Sequence, residues 1–240
     1  MKLDYLIVIP ARYKSSRFEG KPLADINGKS MIERVWEKCS ETSPKKNIIV
    51  ATDDKRIFQH CRSKEINVLM TSKKCLTGSD RVAEVAKKIE AKFYVNVQGD
   101  EPLINPKDIL KVIKDFKKNK ITNCAATTIK DKDELYNLNI PKIASAENGL
   151  VLYISRANIP SNKESIPKKL KKQVCIYCFS KEALNLFGIN SKKTYLEKTE
   201  DIELLRVLEN GIPVRAIDVK SDSMAVDTPE DLIRVRKICK

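Results

Sequence analysis

Four cations, Arg12, Lys14, Arg17 and Lys21, crowd one short stretch and alternate with Ser15, Ser16 and Gly20. Guanidinium and ammonium groups match phosphate oxygens, and small residues let backbone N–H groups approach a polyanion, so this stretch can cradle a polyphosphate. It follows an apolar run, Leu6 to Ile9, that ends at Pro10, and open α/β sheets bind ligands outside the carboxyl ends of their strands. On charge alone, a solvated basic loop is the simpler reading. A different chemistry belongs to Asp100, in Gln98-Gly-Asp-Glu-Pro102 after the apolar Tyr94–Val97. A strand-end carboxylate suits Mg²⁺, which takes one or two carboxylates together with substrate phosphate oxygens. Asp227 follows Met224–Val226 and precedes a helix start; by itself it reads as a turn residue or the neighbour of a cap. Asp53 and Asp54, between a strand and a helix, read as capping residues, and Glu101 as structural. His60, the sole histidine, falls in a helical stretch, where a structural role outweighs general-base chemistry.

The order of the residues carries more than their charge. The pattern Pro10-Ala-Arg-Tyr-x-Ser-x-Arg-x-x-Gly-Lys-Pro-Leu23 is neither a Walker A loop nor a dinucleotide fingerprint. It resembles the signature loop of the CMP-Kdo synthetases, the cytidylyltransferases that activate 3-deoxy-manno-octulosonate (Kdo). Val50–Asp54, Met70–Ser72, Val95–Ile104, Leu152–Pro160, Leu204–Gly211 and Val226–Arg236 resemble further blocks of that family, in the family's order. The resemblance is nearly end to end, and the combination of ARYxSxR, QGDEP and DTPEDL makes it specific.

The resemblance implies Mg²⁺-dependent transfer of CMP from CTP to the C2 hydroxyl of Kdo or a modified Kdo such as an amino derivative. Pyrophosphate leaves, and the product serves lipopolysaccharide or capsule synthesis. It implies that Asp100 and Asp227 meet over one metal site, and that Arg12, Arg17 and Lys21 neutralise the phosphates. It sets Pro10, Ala11, Thr71, Ser72 and Gly78 near the nucleotide, and Gln98 near the ribose or sugar. Arg81 is a phosphate ligand on this reading; an exposed residue in a helix's first turn is the plain alternative. Arg156 matches the family's arginine and suits a bidentate grip on a carboxylate, while Tyr177 and Glu203 are expected at sugar hydroxyls. The first loop carries Glu19 where the family has proline, and two positions depart from the pattern at the sugar end. Gln173 stands where the family carries histidine, and Leu204 where it carries glutamine, so both are expected to tune which acid is used. The resemblance also suggests a homodimer.

These residues need a scaffold, and 240 residues with 42% apolar content can build one sizeable α/β domain. No run approaches a membrane span and no signal-like segment opens the chain. Seven scattered cysteines and one histidine argue against zinc and for a reduced, cytoplasmic protein. Cys175 and Cys178, in a strand-like run, read as packing residues. The net charge of +14 raises nucleic-acid binding, but the lysine pairs, and the cluster from Lys168 to Lys172, are spread out and mostly lack aromatic neighbours.

Strands are expected at Tyr5–Ile9, Asn47–Ala51, Val68–Thr71 and Phe93–Val97. Helices are expected at Lys55–Ser63 and Pro106–Lys117, from a capping box at Ser30 to about Ser40, and from a cap at Ser79. This rhythm predicts a mostly parallel, doubly wound, Rossmann-like nucleotidyltransferase sheet. Beyond it come a hairpin, Lys142–Ala146 and Leu150–Ile154, turning at Asn148-Gly149, and a polar excursion from Ser161 to Lys172. A strand at Val174–Phe179, a helix around Asp201–Leu208, a strand at Val214–Val219 and a helix from Pro229 behind an N-cap at Thr228 complete the chain. The expectation is one domain over residues 1–240, with 131–210 a small mixed subdomain for sugar binding and dimerisation. Alternatives are a cytidylyltransferase for a nonulosonate or a sugar phosphate and, in another class, a non-catalytic basic binding protein on a decayed transferase fold.

Overall fold

The computed structural model describes residues 3–15, 17–164 and 170–239; Ser16 of the basic loop and Lys168 of the polar excursion lie outside them. The chain opens with β1 (Leu6–Ala11), a small hairpin β2 (Asp25–Ile26) and β3 (Lys29–Ser30), and helix α1 (Met31–Ser40). Then follow β4 (Ile48–Thr52), α2 (Lys55–Ser63), β5 (Val68–Met70), α3 (Gly78–Lys88), β6 (Tyr94–Val97), α4 (Pro106–Asn119) and β7 (Thr122–Thr128). The second half contains α5 (Lys132–Tyr136), β8 (Lys142–Ser145), β9 (Val151–Ser155), β10 (Lys171–Phe179) and α6 (Lys181–Asn185). It ends with α7 (Tyr195–Glu200), α8 (Leu204–Glu209), β11 (Val214–Asp218) and α9 (Pro229–Ile238).

The main sheet runs β11-β7-β10-β6-β1-β4-β5. β1 pairs in parallel with β4 and β6, β4 with β5, and β7 with β11. β10 is antiparallel to both β6 and β7 and sits between them. The strands of β1 and β4 are buried on both faces, as a doubly wound sheet requires. Ile7 and Ile9 face α1, α2 and α4 through Ile32, Val35, Ile57, Ile109 and Val112. Leu6 and Val8 face the other way, toward Val82, Val85, Leu184, Leu204 and Val207. The predicted α/β architecture is therefore present, with one antiparallel strand at its centre.

Several boundaries differ for physical reasons. β1 does not stop at Pro10: Pro10 pairs with Ala51 and Ala11 with Thr52, carrying the strand to the edge of the basic loop. The cap of α3 is Thr77 rather than Ser79; its hydroxyl accepts from the Asp80 amide, and Asp80 returns the bond in a capping box. The helix expected around Asp201–Leu208 begins later, as α8 at Leu204, because Asp201, with a left-handed φ of 51°, ends a preceding helix, α7. β7 had no counterpart among the expected strands. Its sequence, Thr-Asn-Cys-Ala-Ala-Thr-Thr, has no bulky apolar run, yet all but its last residue are buried. The capping box of α1, the hairpin β8–β9 and the Thr228 cap form as expected.

Candidate functional site

A cleft of about 290 Å³ opens at the carboxyl ends of β1 and β6. Into it the basic loop sends Arg12, Arg17 and Lys21; Lys14 is exposed away from the lining. The loop lies close because two glycines let other segments approach. A Cβ on Gly99 would stand 2.9 Å from the Pro10 carbonyl, and one on Gly78 would stand 3.2 Å from the Pro10 ring.

Asp100 and Asp227 converge. A backbone bond from the Val226 amide to the Asp100 carbonyl, 2.9 Å, staples their two segments together. The Lys21 ammonium lies 2.8 Å from Asp100 Oδ2 and 3.5 Å from Asp227 Oδ1. Arg17 reaches the same Asp227 oxygen at 3.0 Å. Asp100 Oδ1 is buried and accepts no hydrogen bond. An unmet, buried carboxylate oxygen beside a second carboxylate suits a hard divalent cation that completes its shell with phosphate oxygens and water. Among the described residues no cluster of three or more His, Cys, Asp or Glu could hold a metal by itself, which fits Mg²⁺ shared with a substrate better than an all-protein metal cage.

A second cationic group gathers at the break between α7 and α8. Lys193 Nζ is 2.6 Å from Asp201 Oδ1 and Arg156 Nη2 is 3.9 Å from Oδ2. Burial pushes the Asp201 carboxyl up, but Lys193, Arg156 and Arg12 outweigh it and hold it below the ordinary carboxylate range. Arg156 is also fixed by its own chain: it donates to the carbonyls of Glu200, Leu138 and Asp201 at 2.5, 2.8 and 3.0 Å.

Between the two cationic groups lies a polar wall. Gln173 Nε2 donates to the Tyr177 hydroxyl at 2.7 Å, and Gln98 Nε2 approaches it at 3.5 Å. Burial first, then the neighbouring Cys175 and Glu203, keep the Tyr177 hydroxyl well above its ordinary pKa, so it stays protonated. Cys175 forms part of the same wall, whereas Cys178 is a buried packing residue.

Of the residues singled out from sequence, Pro10, Ala11, Arg12, Arg17, Lys21, Gly78, Arg81, Gln98, Asp100, Arg156, Gln173, Tyr177, Glu203 and Asp227 line one cleft. Some expectations need correction. Thr71 and Ser72 are not in the lining; they stand behind Arg81, which donates to Thr71 Oγ1 at 2.5 Å and pairs with Asp53 at 3.2 Å. Arg81 itself is buried, not an exposed first-turn residue. Glu203 is committed elsewhere: its carboxylate accepts the Gly78 and Ser79 amides at 2.8 and 3.0 Å and the Ser79 hydroxyl, closing the N-terminus of α3. Leu204 is wholly buried against the α3 face of the sheet and does not reach the cleft. Asp54 caps α2 as expected, and His60 bonds Ser30 Oγ at 2.8 Å, a structural role.

Among the lining residues given no role from sequence are Asn139, Lys193 and Asp201. Lys193 was indistinguishable from the surrounding lysines. Asn139 and Asp201 lie in turns, and no spacing marks them.

Residues 6–221 match a family model described as cytidylyltransferase. The chain is 39% identical to the mitochondrial 3-deoxy-manno-octulosonate cytidylyltransferase of Arabidopsis thaliana, over 97% of this chain and 82% of that one. It is also 39% identical to the 3-deoxy-manno-octulosonate cytidylyltransferase of Pseudomonas syringae pv. tomato, over 99% of both. Among solved structures it resembles a CMP:2-keto-3-deoxy-manno-octonic acid synthetase complexed with CTP, with a TM-score of 0.89 and 33% identity over 98% and 97% of the two chains. A glucose-1-phosphate thymidylyltransferase from Bacillus anthracis shares the fold at a TM-score of 0.68 and 15% identity, over 98% and 95% of the two chains.

Proposed function

The chain belongs to the cytidylyltransferase family, among the 3-deoxy-manno-octulosonate cytidylyltransferases, and from that premise we propose that this nucleotidyltransferase moves CMP from CTP to the C2 hydroxyl of a 3-deoxy-2-ulosonic acid, releasing pyrophosphate, with Mg²⁺ as cofactor. The observation that carries the reading is the meeting of Asp100 and Asp227, from distant segments, around the Lys21 ammonium, with Arg17 on the same carboxylate.

The cations bind and the wall orients. Lys21 and Arg17, now paired with carboxylates, exchange those partners for phosphate oxygens of CTP, and Arg12 adds a third charge. Asp100 and Asp227 are the residues that would hold Mg²⁺; when bound, it offsets charge on the phosphates and acidifies the attacking hydroxyl. No protein nucleophile is needed, because such a transfer rests on positioning and charge stabilisation. Arg156, held by three backbone carbonyls, presents its remaining N–H groups to the acid's carboxylate beside Lys193. Gln98, Gln173 and Tyr177 offer amide and hydroxyl groups to the sugar. The 131–210 stretch supplies most of this sugar side, and in that sense acts as the sugar-binding part of a single domain.

Gln173 favours one refinement. It occupies the wall where the resembling family carries histidine, so a modified octulosonate, such as an amino derivative, is a second candidate acceptor beside Kdo. Pyrophosphate release tests the proposal. Four nucleoside triphosphates are crossed with Kdo, an amino-modified Kdo and a nonulosonate, with and without EDTA. Release is expected only with CTP and a 3-deoxy-octulosonate, and chelation abolishes it. Silence with CTP and every octulosonate overturns the assignment.

A further inference from the structure

Three consecutive residues tie together a buried lysine and two arginines of the cleft lining. The Asn137 carbonyl accepts the Lys142 ammonium at 2.8 Å. The Leu138 carbonyl accepts Arg156 Nη1 at 2.8 Å. The Asn139 side-chain oxygen accepts Arg17 Nη1 at 2.8 Å. Lys142 is wholly buried and also reaches the Arg156 carbonyl at 3.3 Å, so the root of this strap and the Arg156 backbone share one anchor. Asn139 itself is turned back onto Asn137, its amide donating to Asn137 Oδ1 at 2.8 Å. From Arg17 the network continues to Asp227 at 3.0 Å. A contiguous path thus runs from the carboxylate pair to Arg156, and the Asn139 side chain is its link to Arg17.

The geometry points to Asn139 as a positioning residue that couples the two subsites: occupancy at the Arg156 end fixes the strap, and the strap holds Arg17 in the pose that receives nucleotide phosphate. This rests on the reading of Arg17 as a phosphate ligand and Arg156 as a ligand of the acid. When CTP draws Arg17 off Asp227, the Asn139 oxygen is the partner among the described residues that still defines where its guanidinium points. An acid seated on Arg156 would fix the guanidinium that donates to the Leu138 carbonyl, one residue from Asn139. Each ligand therefore lowers the cost of ordering the strap for the other, which is positive coupling between sites.

The test is a linkage measurement on the full chain with Mg²⁺, using Kdo and a CTP analogue carrying methylene between the α- and β-phosphorus, which cannot transfer CMP. Calorimetry gives the affinity for the analogue with and without saturating Kdo. The wild type is expected to bind it about tenfold tighter with Kdo present, within the usual range of coupling between sites. Asn139→Ala is expected to bring that ratio near one. Asn139→Asp, which keeps an acceptor for Arg17, retains most of it. A residue that only supports the fold would weaken both ligands and leave the ratio alone. A wild-type ratio near one, an unchanged ratio in Asn139→Ala, or an Asn139→Asp that behaves like the alanine variant overturns the inference. Thermal melting confirms that each variant is folded, and Asn139 is exposed, so truncation leaves no buried gap. Absence of CTP turnover by the wild type would instead strike the functional assignment, and this inference with it.

Discussion

At Asp100 and Asp227 two carboxylates are bridged by the Lys21 ammonium, and Arg17 adds a guanidinium on Asp227. Removing either carboxylate removes half of the candidate metal site while leaving the Val226–Asp100 backbone bond intact. Asp100→Asn and Asp227→Asn are expected to cut kcat roughly a hundredfold or more, with an unchanged circular dichroism spectrum. Turnover near wild type in either would remove the residue from the chemistry. Leu204 teaches the opposite lesson. Read from sequence, it looked like a lost polar contact to the sugar, yet it is wholly buried among Val82, Val207 and their neighbours. Leu204→Gln is expected to cost roughly 2–3 kcal/mol of stability, through a buried amide without partners. The ratio of kcat/KM between Kdo and an amino-modified Kdo should not move. Gln173, in the cleft wall, remains the residue whose change to histidine should shift that ratio. Local sequence cannot distinguish these two cases, because what faces a ligand is decided by the sheet behind it.

At the scale of elements, the caps govern what the site can rely on. The α1 capping box holds Glu33 between the Ser30 amide at 2.7 Å, Lys64 at 3.1 Å and His60 at 3.2 Å. Burial alone would raise this carboxyl. The Ser30 bonds, Lys64 and His60 outweigh burial and hold it at about 2, against an ordinary 4.5. A depressed carboxylate stabilises the fold above its unfolded pKa, and that contribution drains away as pH falls from about 4.5 through about 2. Its full size is on the order of 3 kcal/mol. Urea midpoints at pH 7 and pH 3 should therefore drop further for the wild type than for Glu33→Gln; equal drops would deny Glu33 this role. On the other face, α3, α7 and α8 are clamped by buried Arg206, which bonds Asp80 at 2.9 Å and Glu197 at 2.6 Å and lies over the Phe187 ring. The cap of α3 was legible, but misread: Thr77 with Asp80 satisfies the capping-box spacing, whereas Ser79 is followed three residues later by Val82. β7 was not legible, because burial of Ala, Thr and Asn side chains leaves no hydrophobic period to find.

For the whole molecule, a charge of +14 surrounds the cleft proposed to receive a polyphosphate. Such a field draws in anions, and its reach shrinks as salt rises. The KM for CTP is expected to rise several-fold between about 50 and 300 mM NaCl, with kcat little changed. A KM indifferent to salt would show that the lysines are dispersed too widely to steer. Apart from β7, the alternation of strands and helices was readable from period, since β1 and β4 are apolar runs and α3 and α4 carry apolar stripes. The place of β10 was not. Nothing within Lys171–Phe179 announces that it will insert antiparallel between β6 and β7, as strand order is set by long-range pairing.

The bond between Val226 and Asp100 also gives the molecule a sense of time. Asp227 is carried by a late segment with its own small core, where Val226, Leu232 and Val235 pack against Ile26 and Met31, apart from the two cores that sandwich the sheet. A nascent chain can lay down every strand through β11 and still lack half of its carboxylate pair. On the proposed role of Asp227, the enzyme is thus architecturally mature during synthesis before it is chemically awake. Peeling α9 from Ile26 and Met31 would, on the proposed role of Asp227, return the chain to that dormant condition.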